Sequence, residues 1–123
     1  MERIIGIGTD QISCERVKKA CESSSFLKKY YSEEEQSLIE KRQSRAATNF
    51  AGKEAVSKAF GTGFAGIFPK EIEILRDEKG APYVQLSGTA RKTAENMGIF
   101  KIHISLTDTK EYASAFVIAV GRE

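Results

Sequence analysis

Five segments of the chain have the hydrophobic pattern of β-strands. Glu71–Leu75 and Lys101–Thr107 alternate between apolar and polar residues, which is the period of a strand with one buried face. Tyr83–Leu86 returns after a charged, glycine-containing turn and predicts a hairpin. Arg3–Thr9 is a β-branched run that predicts a buried first strand, and Tyr112–Val120 is predicted as the last strand.

The segments between these strands have helical patterns. Ser32 and Glu35 match a capping box at the start of one helix, and Gly61 stands where a C-cap glycine belongs. Ser87 is placed to cap a short helix. The predicted helical segments are Ile12–Ala20, a short helix or turn over Phe26–Tyr31, Ser32–Lys41, the long central helix Ser44–Phe60, and Ser87–Gly98.

The order of these elements predicts the fold class. A strand and several helices are followed by strand, strand, helix, strand and strand, which indicates an α+β fold with mostly antiparallel pairing around a long central helix. The chain has 123 residues, of which 41% are hydrophobic. We therefore expect one domain over residues 1–123, with a modest core that oligomerisation would help to stabilise.

One face of the central helix holds the first candidate chemistry. At ~100° per residue, Ala47, Ala51, Glu54 and Lys58 project in nearly the same direction. The small side chains of Ala47 and Ala51 let another element pack close to the helix. That element would then contact the carboxylate of Glu54 and the ammonium of Lys58. The alternative is an ordinary surface pair between Glu54 and Lys58, which contributes roughly 0.2–0.5 kcal/mol.

Asp10 directly follows the predicted first strand. Gly6 and Gly8 within that strand indicate that something packs tightly against its backbone. Asp10 is then either the cap of the following helix or a ligand held rigidly at a strand end. If the Ala47–Ala51 face of the central helix packs on this strand, Asp10 and Glu54 come close enough to share one cation.

The strand Lys101–Thr107 presents a polar face. His103, Ser105 and Thr107 alternate with apolar residues and lead to Asp108. This face is either the solvent side of an outer sheet or part of a site. His103 is the only histidine, which excludes a His-rich zinc site, so a bound metal would be a hard, oxygen-liganded ion such as Mg²⁺.

Charge, cysteine content and the glycine-rich run exclude several classes of protein. The formal net charge of +2 is too small to imply a nucleic-acid partner. No signal peptide or transmembrane run is visible, and Cys14 and Cys21 fit a reducing compartment, so we expect a cytoplasmic protein without a membrane partner. The GTGFAG run follows a helix instead of a strand, which rules out a dinucleotide-binding fold.

Taken together, these residues outline a phosphoryl-transfer site. Asp10 and Glu54 with a substrate diphosphate are the ligands that Mg²⁺ prefers. Lys58 lies one helical turn beyond Glu54 and is suited to neutralising charge on a leaving phosphate. Backbone amides of Gly61–Gly63 are free to approach a phosphate.

Three motifs resemble those of one known family. GIGTD at Gly6–Asp10, KEAVSKAFGTG at Lys53–Gly63 and HISLTDT at His103–Thr109 have the same order and spacing as in the holo-acyl-carrier-protein synthases, the small phosphopantetheinyl transferases. The resemblance extends over nearly the whole chain, including EIEI, DEKGAPY and TKEYASAFV. The KEAxxKAxGTG pattern is highly specific for this family.

The resemblance implies transfer of 4′-phosphopantetheine from coenzyme A to a serine of apo-acyl carrier protein, with release of adenosine 3′,5′-bisphosphate, for fatty acid synthesis. It implies Mg²⁺ between Asp10, Glu54 and the coenzyme A diphosphate, and a homotrimer with active sites between subunits. The implied site residues are catalytic Asp10, Glu54, Lys58 and Asp108; coenzyme-binding Lys58, Gly61, Thr62, Gly63, His103, Ser105 and Thr107; and, for docking the acidic carrier, Arg16, Lys18 and Lys19.

The chain departs from the family pattern at several positions, which include Asp108 and Asn49. Asp108 replaces the second histidine of the late strand motif, a candidate base. Asn49 replaces a common arginine that contacts the 3′-phosphate. Nearby, Lys41, Arg42 and Arg45 form a basic cluster, which is either a solvated linker or a landing patch for an acidic partner.

Two other functions fit parts of this pattern. Asp108 and Asn49 would suit a non-catalytic or weakly active relative that binds coenzyme A or a carrier protein. The carboxylates alone would suit a Mg²⁺-dependent phosphohydrolase. Retention of Asp10, Glu54 and Lys58 together favours the transferase.

Overall fold

The chain divides into a helical first half and a second half rich in strands. The computed structural model describes residues 1–122. In chain order the elements are β1 (Glu2–Ser13), α1 (Cys14–Ala20), α2 (Ser24–Tyr30), α3 (Glu33–Lys41), α4 (Arg45–Ala59), a 3₁₀ turn (Pro69–Glu71), β2 (Ile72–Arg76), β3 (Pro82–Leu86), α5 (Gly88–Asn96), β4 (Ile99–Asp108) and β5 (Tyr112–Arg122).

The strands form two antiparallel sheets. One has three strands in the order β1-β5-β4, and the other is the β2-β3 hairpin. The long helix α4 packs against the three-stranded sheet, and its buried alanines form much of the core. The predicted α+β fold, with antiparallel sheets and a long central helix, is confirmed. None of the helices within residues 1–122 combines the length and apolar character needed to cross a membrane.

Two glycines of β1 let α4 lie directly against the strand backbone. A Cβ added to Gly8 would stand 1.8 Å from the carbonyl oxygen of Ala55, and one added to Gly6 would stand 2.0 Å from that of Ala59. The predicted tight packing against these glycines is therefore confirmed. Since side chains alternate along a strand, the even-numbered positions from Gly6 to Asp10, beyond the bulge after Ile4, face α4.

The small-residue face of α4 is buried and lies along β1. Ala47 is 3% exposed and Ala51 is 0% exposed, so another element does pack against these small residues, as predicted. The glycine contacts show that two residues along β1 correspond to one turn of α4 in the opposite direction. At that rate Asp10 lies level with Ala51, whose methyl group leaves room for the carboxylate.

The first strand is longer than predicted, and the first helix starts later. Ile12 pairs with Ala113 and Ser13 pairs with Tyr112, so the predicted helix start at Ile12 is wrong. Ser13 caps α1 by accepting a hydrogen bond from the Arg16 backbone N–H. Asp10 is therefore a strand residue, and the alternative that it caps a helix is also wrong.

The cap of α5 also differs from the prediction. Ser87 occupies the N-cap position but its side chain makes no capping hydrogen bond. The Glu71 carboxylate accepts instead from the backbone N–H groups of Thr89 at 3.2 Å and Ala90 at 3.3 Å. A carboxylate from a distant turn thus satisfies the helix N-terminus.

A buried ion pair joins α3, α4 and β2. Lys53 donates to Glu35 Oε1 at 2.5 Å and to the carbonyl oxygens of Ile72 at 2.6 Å and Pro69 at 2.9 Å. Lys53 and Glu35 are both 0% exposed. All three ammonium hydrogens have acceptors, so this pair is a closed structural link.

Candidate functional site

An ion pair between α4 and β1 forms one half of the site. Lys58 Nζ donates to Asp10 Oδ1 at 3.0 Å and to the carbonyl oxygen of Thr9 at 3.0 Å. The Lys58 side chain is 53% exposed, whereas that of Asp10 is 14% exposed. The surface pair between Glu54 and Lys58 is not formed, since Lys58 reaches across to the neighbouring strand.

The second carboxylate oxygen of Asp10 is buried without a partner. Within residues 1–122, no donor reaches Asp10 Oδ2. An unpaired buried polar atom costs about 1–3 kcal/mol, and more when it is charged. A ligand that approaches Oδ2 would remove this cost, which makes the atom a candidate cation ligand.

Glu54 is held by a residue that the sequence analysis missed. The Tyr30 hydroxyl donates to Glu54 Oε2 at 2.8 Å. Burial and, next, the Glu54 charge raise the pKa of Tyr30, so its hydroxyl keeps the proton. The sequence signal for this contact is weak: aromatic residues recur at Phe26, Tyr30 and Phe50, and Phe50 precedes Glu54 by one helical turn.

Glu54 accepts a hydrogen bond from the Tyr30 phenol, and the charge of Asp10 also acts on that phenol. The charges of both carboxylates act in the same direction and raise the pKa of Tyr30. Residues 1–122 contain no group of three or more His, Cys, Asp or Glu side chains arranged for a metal. Mg²⁺ commonly takes only one or two carboxylates and completes its shell with water and phosphate oxygens. The two acids, one with an orphaned buried oxygen, fit that pattern.

The glycine loop after α4 is open to solvent. Gly61 has φ 79° and Gly63 has φ 61°, in the left-handed region that favours glycine. A Cβ added at either position would meet nothing within 4 Å. The loop begins three residues after Lys58, and the Gly61 backbone N–H donates to the Lys58 carbonyl oxygen at 2.9 Å.

The polar face of β4 lies on the opposite side of the sheet. Ser105 pairs with Phe116, which pairs with Thr9, and all three side chains point away from α4. His103 and Thr107 share this exposed face with Ser105. Within one chain, the structure therefore does not bring these residues to Asp10 and Glu54. In a single copy they form the solvent side of the sheet.

Asp108 is also separate from the carboxylate pair within one chain. It lies two strands across from Asp10 and two residues further along, which puts the two α-carbons about 12 Å apart by ordinary sheet spacings. It lines a groove of about 750 Å³ between α1 and the start of α4. Burial and, next, the Asp108 charge raise the pKa of Cys14 in that groove.

The predicted carrier-docking residues lie together on α1. Arg16, Lys18 and Lys19 are all exposed. Lys18 and Lys19 line the same groove as Asp108. The structure thus places the basic helix face next to the candidate base, and docking itself remains a prediction.

The position of the missing arginine is buried. Asn49 is 0% exposed and donates to Glu35 Oε2 at 2.9 Å and to the Ile74 carbonyl oxygen at 2.9 Å. Its own amide oxygen accepts from Arg76 at 2.9 Å. Asn49 therefore belongs to the buried network around Glu35. The cationic side chain that contacts Asn49 is Arg76.

Arg76 also borders a strongly basic groove. The groove has a volume of about 420 Å³ and is lined by four cationic side chains and one carboxylate, namely Arg42, Arg45, Arg76, Lys79 and Asp108. None of these cations forms an ion pair within residues 1–122. Burial and, next, the charge of Arg45 lower the pKa of Arg76. The predicted basic cluster is thus part of a larger anion-attracting surface that includes the β2-β3 hairpin.

Fold and site together indicate a class of protein. Two carboxylates beside a lysine and an exposed glycine loop suit an enzyme that transfers a phosphate-bearing group. The model of the 4′-phosphopantetheinyl transferase superfamily matches residues 6–119, and the chain belongs to this family.

Individual relatives agree with that assignment. The chain is 55% identical to a holo-[acyl-carrier-protein] synthase of Lachnoclostridium phytofermentans over 115 residues, 94% of each chain. Plasmodium yoelii acyl carrier protein synthase with ADP bound matches with a TM-score of 0.88 at 34% identity, over 100% of this chain and 99% of that one. Helicobacter pylori holo-[acyl-carrier-protein] synthase in complex with coenzyme A matches with a TM-score of 0.82 at 29% identity, over 92% and 98%. The family resemblance inferred from the motifs is confirmed.

Proposed function

We propose that the protein transfers 4′-phosphopantetheine from coenzyme A to a serine of an apo-acyl carrier protein, and that this reaction serves fatty acid synthesis in the cytoplasm. The observation that carries the proposal is the Asp10–Lys58 pair with its orphaned buried Oδ2, on the strand that packs against the helix bearing Glu54. The names of the relatives support the same reaction. The free thiols of Cys14 and Cys21 suit a reducing compartment.

In the reaction, the carrier serine oxygen forms a bond to the phosphorus of the phosphopantetheine group. The bond from that phosphorus to the adenylate phosphate breaks, and adenosine 3′,5′-bisphosphate leaves. Lys58 stabilises the charge that grows on the leaving phosphate, since its half-exposed ammonium lies at the mouth of the site. The serine proton passes to a base, for which Asp108 is the candidate, directly or through water.

Asp10 and Glu54 are the residues that would hold Mg²⁺. The chemistry that the bound ion supplies is neutralisation of charge on the diphosphate oxygens. Asp10 is fixed for this task by its strand, and Glu54 by α4.

The separation of site residues supports a shared active site in a homotrimer. His103, Ser105 and Thr107 lie on the sheet face that points away from α4. That face also exposes Phe116, which is 44% accessible, and Ile7, which is 58% accessible. We propose that this face of one copy covers the Asp10 site of the next copy and brings the coenzyme-binding residues to it.

The basic groove is proposed to hold a phosphate of coenzyme A. Arg42 and Lys79 are exposed and without ion-pair partners in residues 1–122. A concave groove of about 420 Å³ suits a small anion better than the flat face of a protein. The exposed cations of α1 remain available for the acidic carrier.

The test is direct. The protein is incubated with coenzyme A, Mg²⁺ and an apo-acyl carrier protein, and the mass of the carrier is measured. A gain of one phosphopantetheine group with release of adenosine 3′,5′-bisphosphate is the expected result. Absence of any gain with several carriers at high enzyme concentration would contradict transfer. Binding of coenzyme A without transfer would indicate a non-catalytic relative, and release of phosphate without a carrier would indicate a hydrolase.

A further inference from the structure

The Tyr30 side chain ends at one oxygen of Glu54. Its hydroxyl comes from α2 and donates to Glu54 Oε2 on α4 at 2.8 Å. The two residues are 24 positions apart in the chain. The contact therefore depends on how α2 packs on α4, and not on the local structure of either helix.

The ring that carries this hydroxyl is clamped on both faces. Phe26 stacks on Tyr30 with a centroid distance of 5.2 Å, and Phe50 stacks on it at 4.7 Å. Tyr31 at 5.3 Å and Phe64 at 6.4 Å contact it edge-on. A ring held in this way cannot swing without breaking several aromatic contacts, so the direction of its hydroxyl is fixed.

The two carboxylates are held in equivalent ways. Lys58 occupies Oδ1 of Asp10, and Tyr30 occupies Oε2 of Glu54. The remaining oxygen of Asp10, Oδ2, is buried and unpaired. Within residues 1–122, the side-chain hydrogen bond that the Glu54 carboxylate accepts is the one from Tyr30 to Oε2, which leaves Oε1 for a ligand. Each acid thus presents one held oxygen and one open oxygen.

We propose that Tyr30 is a positioning residue that fixes the Glu54 carboxylate so that its open oxygen meets a divalent cation together with Asp10 Oδ2. The proposal rests on the proposed function, since the cation is the one that reaction uses. A Glu side chain has several rotatable bonds, and ordering it costs free energy at the moment of metal binding. A donor that orders it beforehand lowers that cost, as hydrogen bonds to metal ligands do generally.

The neighbouring residue offers a matched control. The Tyr31 hydroxyl donates to the Ala46 carbonyl oxygen at 2.7 Å, and Tyr31 is 0% exposed. Tyr31→Phe removes one hydrogen-bonded hydroxyl, as Tyr30→Phe does, but the Tyr31 hydroxyl contacts no carboxylate of the site. A purely structural role of the Tyr30 hydroxyl predicts similar behaviour of the two variants.

The experiment measures metal affinity apart from turnover. Free Mn²⁺ is titrated by electron paramagnetic resonance against wild type, Tyr30→Phe and Tyr31→Phe, each with saturating coenzyme A and no carrier. We expect the Mn²⁺ dissociation constant of Tyr30→Phe to rise about 10-fold or more. That of Tyr31→Phe should stay within about twofold of wild type, while its melting temperature falls through loss of the buried hydrogen bond.

Activity supplies a second measurement. With the carrier added, Tyr30→Phe should need more Mg²⁺ for half-maximal rate, and its KM for the carrier should be unchanged. Equal Mn²⁺ dissociation constants for Tyr30→Phe and wild type would overturn the proposal and leave the proposed function intact. Equal weakening in both tyrosine variants would overturn it as well. Failure of wild type to bind Mn²⁺ would overturn the metal site itself, and with it the role of Tyr30.

Discussion

Two lysines of α4, five residues apart, form ion pairs of opposite character. Lys53 and Glu35 are both 0% exposed, and every ammonium hydrogen of Lys53 has an acceptor. Lys58 is 53% exposed, and its partner Asp10 keeps a buried oxygen with no donor in residues 1–122. We call the first pair closed, because all of its hydrogen bonds are made, and the second pair open, because one carboxylate oxygen still lacks a donor.

The difference shows which pair has a structural role and which pair is able to bind a ligand. A buried pair with all its hydrogen bonds made has no capacity left for a ligand, so it only joins α3, α4 and β2. An exposed lysine beside a carboxylate with a spare oxygen contributes little to folding but can bind a phosphate and a cation. The same residue types on one helix thus take different roles, because the surroundings of their partners differ.

Loss of Lys53 should have the largest effect on folding. Lys53→Met leaves the Glu35 charge buried without its partner, which should lower the free energy of unfolding by about 3–5 kcal/mol. The double variant Lys53→Met, Glu35→Leu should recover part of that loss. Urea unfolding of both variants measures it. A Lys53→Met variant as stable as wild type would mean that the buried pair does not hold the helices together.

Loss of Lys58 should affect the reaction and spare the fold. Lys58→Met removes charge stabilisation of the leaving phosphate, so kcat should fall roughly 10²–10³-fold. The free energy of unfolding should change by less than about 1 kcal/mol, because the Lys58 ammonium is half-exposed. Lys92→Met on the exposed face of α5 is the matched control and should leave kcat unchanged. Transfer at the wild-type rate in Lys58→Met would remove Lys58 from the reaction.

Co-expression of two inactive variants tests whether the site at Asp10 takes some of its residues from another copy of the chain. Asp10→Asn lacks the carboxylate, and His103→Ala lacks a residue of the opposite sheet face. If one site takes these residues from adjacent copies, random co-assembly restores about a quarter of the sites. Co-expressed variants should therefore transfer faster than either variant alone. Activity equal to the mean of the separate variants would place all site residues in one copy.

The basic groove should give the smallest effect. Arg42→Ala with Lys79→Ala removes two exposed cations, and we expect KM for coenzyme A to rise by about 5-fold to 10-fold. The KM for the carrier should be unchanged. The opposite result, a higher KM for the carrier alone, would identify the groove as a landing patch for the acidic partner.

Local patterns predicted the fold well, and long-range contacts explain what they missed. The capping box at Ser32 and the bounds of α4 follow from nearby residues. The later start of α1 depends on β5, about a hundred residues further along the chain. The capping of α5 by Glu71 likewise depends on a residue outside the helix.

The same limit applies to the site. Glu54 and Lys58 were found from helical spacing and Asp10 from the end of a predicted strand, and the family motifs then implied their roles. Tyr30 and Arg76 were missed, because each acts on a residue more than twenty positions away and no local period marks either contact. The position of the β4 polar face, across the sheet from Asp10, could not be predicted either. Periodicity alone does not tell which face of the sheet α4 covers.

Because Gly6 and Gly8 have no side chains, the backbone of β1 lies close to α4. This contact determines the distance between the strand that carries Asp10 and the helix that carries Glu54. A methyl group at Gly8 would stand 1.8 Å from the Ala55 carbonyl oxygen, and the strand would have to retreat by roughly 1.5 Å to reach ordinary contact. Asp10 is carried two residues further along that strand and would retreat with it, away from the helix that bears Glu54. The spacing of the two acids is therefore determined by backbone contact between β1 and α4. In this protein, the hydrogen atom that stands in place of a Cβ at Gly8 determines how closely the two acids approach each other.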